Sequence, residues 1–242
     1  MFKVNNFWDN EDVTILHSQG AFTILQFNKD LSLMPYEVEL AHYCNSMDIR
    51  RKQVICELKS SDVCIQSKTV HWHIGIVKLL ADFPKIGGYS VKPEFTGEGL
   101  ITLIPTFRFP IIISMSDWES GVMLDDSLFL ACERRVVRRM TLCRRLPAVS
   151  ESKYGIYNIC LSGEGFAVID SPCPEEELVE IILDDDEVTI ESTLVVAWSA
   201  TLECIPEYST IISSENTVYT YRGKGRVLML PYNGTYYHSS YL

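Results

Sequence analysis

The chain has 242 residues, 47% of them hydrophobic, and a formal net charge of -11. That is enough apolar material to bury a core in one large domain or two small ones, and it excludes a disordered chain. The acid excess repels polyanions at long range and disfavours non-specific nucleic-acid binding.

The N-terminus, MFKVNNFWDN, has no basic stretch leading into an apolar one with a small-residue cleavage site, so no secretion signal is expected. A helix follows. Pro35 suits a first helical position, Glu37 and Glu39 favour the positive end, and Tyr36, Leu40, Cys44 and Met47 recur at helical spacing. Asn45-Ser46 is its expected end.

From there the chain reads as short strands. Val54, Cys56 and Leu58 alternate with polar or charged neighbours, the pattern of a half-buried strand. His71-Trp72-His73 puts two imidazoles on one face of an expected strand, a geometry that can chelate a transition metal. No third ligand is visible, so these histidines are weak metal candidates and no metal or cofactor is assigned. Residues 111–115 and 188–198 are rich in β-branched residues, and Asn233-Gly234 is a two-residue hairpin signal. The longest apolar runs, such as 109–115, are far too short for a membrane-spanning helix.

Eight cysteines, 44, 56, 64, 132, 143, 160, 173 and 204, stand singly in apolar surroundings. Scattered thiols suit a reducing, cytoplasmic setting, with disulfides in a secreted protein as the competing reading. Structural zinc needs paired knuckles, and no CxxC pair is present.

One pattern recurs. TGEGLITLIPT (96–106), SGEGFAVIDSP (162–172) and RGKGRVLMLPY (222–232) each set Gly, a charged residue and Gly before an apolar run closed by proline, with first glycines 66 and then 60 positions apart. A second marker, residues 128–132 and 194–198, also repeats 66 positions apart, each copy behind an acidic cluster, Asp125-Asp126 or 184–187. The expectation is one domain over 1–242, with approximate repeats 50–105, 106–172 and 173–242 behind a helical prefix 1–49. Phosphate loops place their glycines before a helix N-terminus, whereas strand-forming runs follow here. The glycines are therefore read as turn or bulge residues.

Residues 133–145 hold six arginines, Arg134, Arg135, Arg138, Arg139, Arg144 and Arg145. Arginine at that density suits a phosphate or RNA contact. The competing reading is a solvated face balancing residues 170–191, which carry ten acidic residues and no basic one. Asp184-Asp185-Asp186-Glu187 lacks the spaced ligands of a calcium loop and is read as a turn. No Gly-x-Ser-x-Gly elbow occurs, and the C-terminal tyrosines 232, 236, 237 and 241 are assigned to sheet packing or an oligomer contact.

Taken together, SVKPEFTGEGLITLIPTF, DWESGVMLDDSLFLAC, SPCPEEELVEIILDDD, TLVVAWSATLE and YRGKGRVLMLP resemble the family named for the fungal "altered inheritance of mitochondria" protein, over about 48–231. The resemblance implies an all-β fold of repeated β-sandwich or double-stranded β-helix-like units about a pseudo-threefold axis. It also implies a structural grouping with the tryptophan RNA-binding attenuation protein, and the N-terminal helix looks like the prefix of one bacterial subgroup. Residues 83–95 are shorter than the glycine-rich insertion the family leads one to expect. The resemblance brings no catalytic residues. The expected function is thus a non-catalytic cytoplasmic β-repeat protein acting by binding or assembly, with an unknown protein partner or itself. The alternatives are an RNA- or nucleotide-binding module on the arginine stretch and a metal enzyme using His71 and His73.

Overall fold

The computed structural model describes residues 2–29, 37–59, 61–81, 92–142, 157–208 and 217–232. Pro35, Tyr36, Cys143, Arg144, Arg145, the Asn233-Gly234 hairpin signal and the three last tyrosines lie outside them. The described residues form one α-helix, α1 (Val38–Ser46), and sixteen strands, so the fold is all-β with a short N-terminal helix. Among the described residues, no helix is long and apolar enough to cross a membrane.

The helix ends where Asn45-Ser46 placed it, but its buried face differs from the expected one. Ala41 and Cys44 are buried, while Leu40, Tyr43 and Met47 are more than half exposed. A nine-residue helix buries only a narrow stripe, and here that stripe takes the smaller side chains.

The chain divides into two compact units. The first gathers 1–114, 130–136 and 165–170. Its strands are β1 (Val13–Gln19), β2 (Phe22–Phe27), β3 (Lys52–Glu57), β4 (Val63–Ile65), β5 (Val70–Ala81), β6 (Glu94–Leu103), β7 (Phe109–Ser114), β9 (Phe129–Glu133) and β12 (Phe166–Ser171). They hydrogen-bond in the order β1-β2-β3-β6-β4-β9-β12-β7, and β5 adds to β6. The core holds Phe22, Ile24, Val54, Cys56, Val63, Ile65, Ile101, Leu103, Ala131 and Val168. Strand β3 is not half-buried as its alternation implied. Val54 and Cys56 face this core while Ile55 joins a second cluster with Leu25 and Leu100, so both its faces are covered. Even Lys52 is buried: its ammonium reaches the Arg50 carbonyl at 3.1 Å and lies 4.1 Å from the Phe109 ring centre. Burial pushes that lysine below its ordinary range.

The second unit gathers 115–129, 137–164 and 171–242. Its sheet runs β10 (Val136–Leu142), β11 (Tyr157–Gly163), β8 (Val122–Asp125), β14 (Val195–Ser199), β16 (Thr217–Met229), β13 (Val179–Glu191), and β15 (Glu203–Tyr208) adds to β16. Trp198, Tyr221, Leu183, Ile190, Leu202 and Val227 form its core, with the Trp198 and Tyr221 rings 5.4 Å apart. Arg226 pins one corner. Its guanidinium stacks 3.9 Å from the Trp118 ring centre, pairs with Glu180 at 2.8 Å and donates to the Asp117 carbonyl at 2.6 Å.

The three glycine motifs sit in strands or between them, and none opens a helix. Gly97 and Gly223 lie inside β6 and β16 with φ of +129° and +120°. At each, one long strand changes neighbours. The part of β6 before its glycines pairs with β4 and the part after with β3, as β16 pairs first with β15 and then with β14. Gly163 instead ends β11, and Gly165 lies in the two-residue connection to β12. Of the expected turn or bulge roles, the turn is found there, and Gly223 stands opposite the bulge in β13 between Asp184 and Asp186. In β6 the reason for glycine is close backbone approach: a Cβ on Gly97 or Gly99 would overlap the carbonyl oxygens of Ile76 or Ile74 across the ladder.

Candidate functional site: an open sheet edge

Strand β5, VHWHIGIVKLLA, is 12 residues long, and among the described strands it pairs with β6 alone. Its register runs from Val70 opposite Leu103 to Ala81 opposite Glu94, with irregularities at Val70/Trp72 and Leu79/Ala81. Gly75 stands opposite Gly99, which lets the two backbones close up where side chains would separate them.

The two ends of β5 are treated differently by the chain. Near its start, the Trp72 ring lies 5.3 Å from that of Phe7, and Ile74 packs with Phe7 against Leu25, Ile55 and Leu100. Toward its end the cover stops. Ile76 is 66% exposed, Leu79 49% and Leu80 42%, with the exposed Lys78 among them. Val77 alone in this stretch turns toward the core. A row of backbone donors and acceptors edged by apolar side chains is a template for strand addition.

Of the sequence-derived candidates, the two histidines lie at the start of β5 and the arginines lie outside it. His71 falls at the irregularity beside Val70, outside the regular alternation, and its Nδ1 is 3.5 Å from Gln53 Nε2. His73 stands opposite Ile101 and is exposed. No three His, Cys, Asp or Glu side chains among the described residues converge as metal ligands.

The arginine stretch is divided between the two units: Arg134 and Arg135 lie in the first, Arg138 and Arg139 in the second. Arg134 pairs with Asp62 at 2.8 Å and approaches Glu94 at 3.4 Å. The Asp62 carboxyl is held below its usual range, first by a hydrogen bond from the Thr96 hydroxyl and then, against its burial, by Arg134. Arg135 and Arg139 are exposed and Arg138 is half-buried. Arg139 stands near the Cys160 thiol, which burial nonetheless pushes up.

One residue of that stretch was not singled out in the sequence. Glu133 is only 8% exposed, and its carboxylate accepts from the amide N–H of Ala21 at 2.9 Å and of Phe166 at 3.2 Å. Each of those amides follows a glycine at positive φ, Gly20 (+56°) and Gly165 (+108°). The second glycine motif therefore does help to hold an anion, but the anion is the chain's own carboxylate.

The acidic clusters also part company. Asp125 caps a 3-10 turn, its Oδ1 accepting from the Ser127 amide at 2.8 Å and the Ser127 hydroxyl at 2.6 Å. Residues 184–187 form no turn; they lie within β13, with a bulge at Asp185 (φ +58°). Asp184 pairs with Lys224 at 2.7 Å and Glu187 with Arg222 at 2.6 Å across the ladder. The Lys224 ammonium holds the Asp184 carboxyl below its usual range.

Comparison with known proteins places this geometry. Residues 51–232 match the model of a family described as "Mitochondrial biogenesis AIM24". No curated protein matches the chain. A crystal structure of protein SPYM3_0169 from Streptococcus pyogenes is similar, with a TM-score of 0.57 and 21% identity, covering 78% of this chain and 91% of that one. At that identity the likeness shows a shared fold. Strands β1 and β2 and helix α1 precede the matched segment, yet β2 pairs along β3 from Phe22 opposite Cys56 to Gln26 opposite Lys52. The prefix thus adds strands to the family's sheet.

Proposed function

The chain belongs to the AIM24 family, and from that premise we propose that it works by binding rather than catalysis, docking a protein partner in the cytosol along the outer edge of β5. One observation carries this reading: β5 is paired on one side only among the described strands, and Ile76, Leu79 and Leu80 stand exposed beside that edge. Strand addition there hydrogen-bonds backbone groups otherwise left to water and buries apolar side chains that are costly to hydrate. The seven described cysteines, all thiols, support the reducing compartment. The test is a photoreactive amino acid at Leu79, compared in native lysate with the same probe at Glu119, an exposed position in the other unit. Protein adducts are expected from position 79 and not from 119, and Ile76→Lys in the same chain is expected to suppress them. Equal yields at both positions would refute the reading.

A further inference from the structure

Resting on the docking reading of β5 and naming its partner, we propose that the outer edge of β5 in one copy of this chain docks on the outer edge of β13 in a second copy, head to tail. Strand β13 is a second long edge among the described strands. It has 13 residues and among the described strands pairs with β16 alone, nearly matching the 12 residues of β5.

The two edges are complementary in charge. In β5 the only formally charged residue is Lys78, accompanied by His71 and His73, and no acid occurs between Val70 and Ala81. In β13 the exposed acids are Glu180, Asp184, Asp185, Asp186 and Glu187, and no base occurs. Three cations on the neighbouring β16 face them, Arg222, Lys224 and Arg226, so the acids outnumber the bases and the ribbon stays negative. The edges are complementary in polarity as well. Ile182 is 75% exposed and Val179 is exposed on β13, matching Ile76, Leu79 and Leu80 on β5.

Like-with-like pairing is disfavoured by the same residues. Two β13 edges would bring acid against acid, and two β5 edges would set lysine against lysine and leave the acidic edge unmatched. The Asp185 bulge and the charges around it act as guards against indiscriminate strand addition, which a partner carrying a lysine can satisfy. Because the edges differ, the contact is heterologous: each copy offers both, so association proceeds to a closed ring or an open chain.

Sedimentation velocity of the full chain over a range of concentration and salt tests this. Wild type is expected to form species larger than a monomer at low salt, and added salt is expected to weaken them. Lys78→Glu gives one variant, and Asp185→Asn with Asp186→Lys gives the other. Alone, each is expected to associate about tenfold more weakly, because like charges now face each other. Mixed, they are expected to recover the wild-type assembly, since every contact between unlike variants again joins opposite charges. Circular dichroism verifies the folding of each. Ile182→Gln, at a solvent-facing position, is a second probe that is also expected to weaken association.

A wild type that stays monomeric throughout, or a mixture no larger than its components, overturns the proposal. In the first case, adducts that persist at Leu79 leave the docking reading of β5 standing with a different protein as its partner. A wild type that associates and is indifferent to both Ile76→Lys and Lys78→Glu also overturns the proposal, and the docking reading falls with it only if adducts at Leu79 do not exceed those at Glu119.

Discussion

The Glu133 carboxylate accepts a hydrogen bond from the Ala21 amide at 2.9 Å, across 112 residues of sequence. Its other oxygen takes the Phe166 amide, so one side chain holds together the β1–β2 turn and the start of β12. Ala21 lies in the prefix and Glu133 in the matched family segment, so this bond ties the extension to the family's fold.

Replacing Glu133 by Gln keeps the volume and removes an acceptor. An amide offers one carbonyl oxygen where the carboxylate has two, so one buried N–H is left facing an NH2 group. A loss of about 1–3 kcal/mol is expected, read as a lower denaturant midpoint with unchanged slope. A midpoint within error of wild type would show that the clamp contributes nothing.

Gly97 and Gly223 separate two costs of a side chain. Both have strongly positive φ, but a Cβ on Gly97 would overlap the Ile76 carbonyl, whereas one on Gly223 finds its nearest neighbours at 3.9 Å. Gly223→Ala is expected to cost about 1–2 kcal/mol, the backbone penalty alone. Gly97→Ala is expected to cost more, on the order of 3–5 kcal/mol, because β5 must also shift. Urea unfolding of the two variants side by side measures the difference, and equal losses would contradict it.

The Asp62 carboxyl is held below its usual range in the folded state, so it favours folding in its charged form. The sign follows. Its contribution is present above the unfolded value of about 3.9, and is lost as pH falls through the lower folded value. Wild type is therefore expected to lose stability on acidification below about pH 4 more steeply than Asp62→Asn. Thermal melts of both proteins from neutral to strongly acid pH check this; parallel curves would disprove it.

The arginine stretch gives a prediction about nucleic acid. With Arg134 paired to Asp62 and the remainder divided between two units, labelled RNA is expected to show no retardation, even at low salt. A mobility shift abolished by Arg138→Glu with Arg139→Glu would instead establish the polyanion reading.

Several elements were legible in the sequence because their causes are local. Helix α1 ends at Ser46, where Asn45-Ser46 marked its end, and the three apolar runs after the glycines form strands that stop just before Pro105, Pro172 and Pro231. Proline cannot donate to a ladder, and that constraint travels with the residue. The all-β class follows from the same short apolar runs.

Other features had no local cause. The alternation in β3 signalled one buried face, and only the packing of Phe7, Leu25 and Leu100 on the other side buries both. Glu133 looked like one more charge before an arginine run. Its role exists only where Gly20 and Gly165, far apart in sequence, present adjacent amides to one carboxylate. That β5 has one neighbour among the described strands is likewise invisible in VHWHIGIVKLLA, since a strand's sequence does not say how many neighbours it will have. Composition and periodicity determined that this chain builds sheets, because side-chain alternation and proline act over a few residues. Tertiary structure decided which charges are satisfied and which of the described strands are paired on one side only, because pairing and burial depend on segments that meet only after folding.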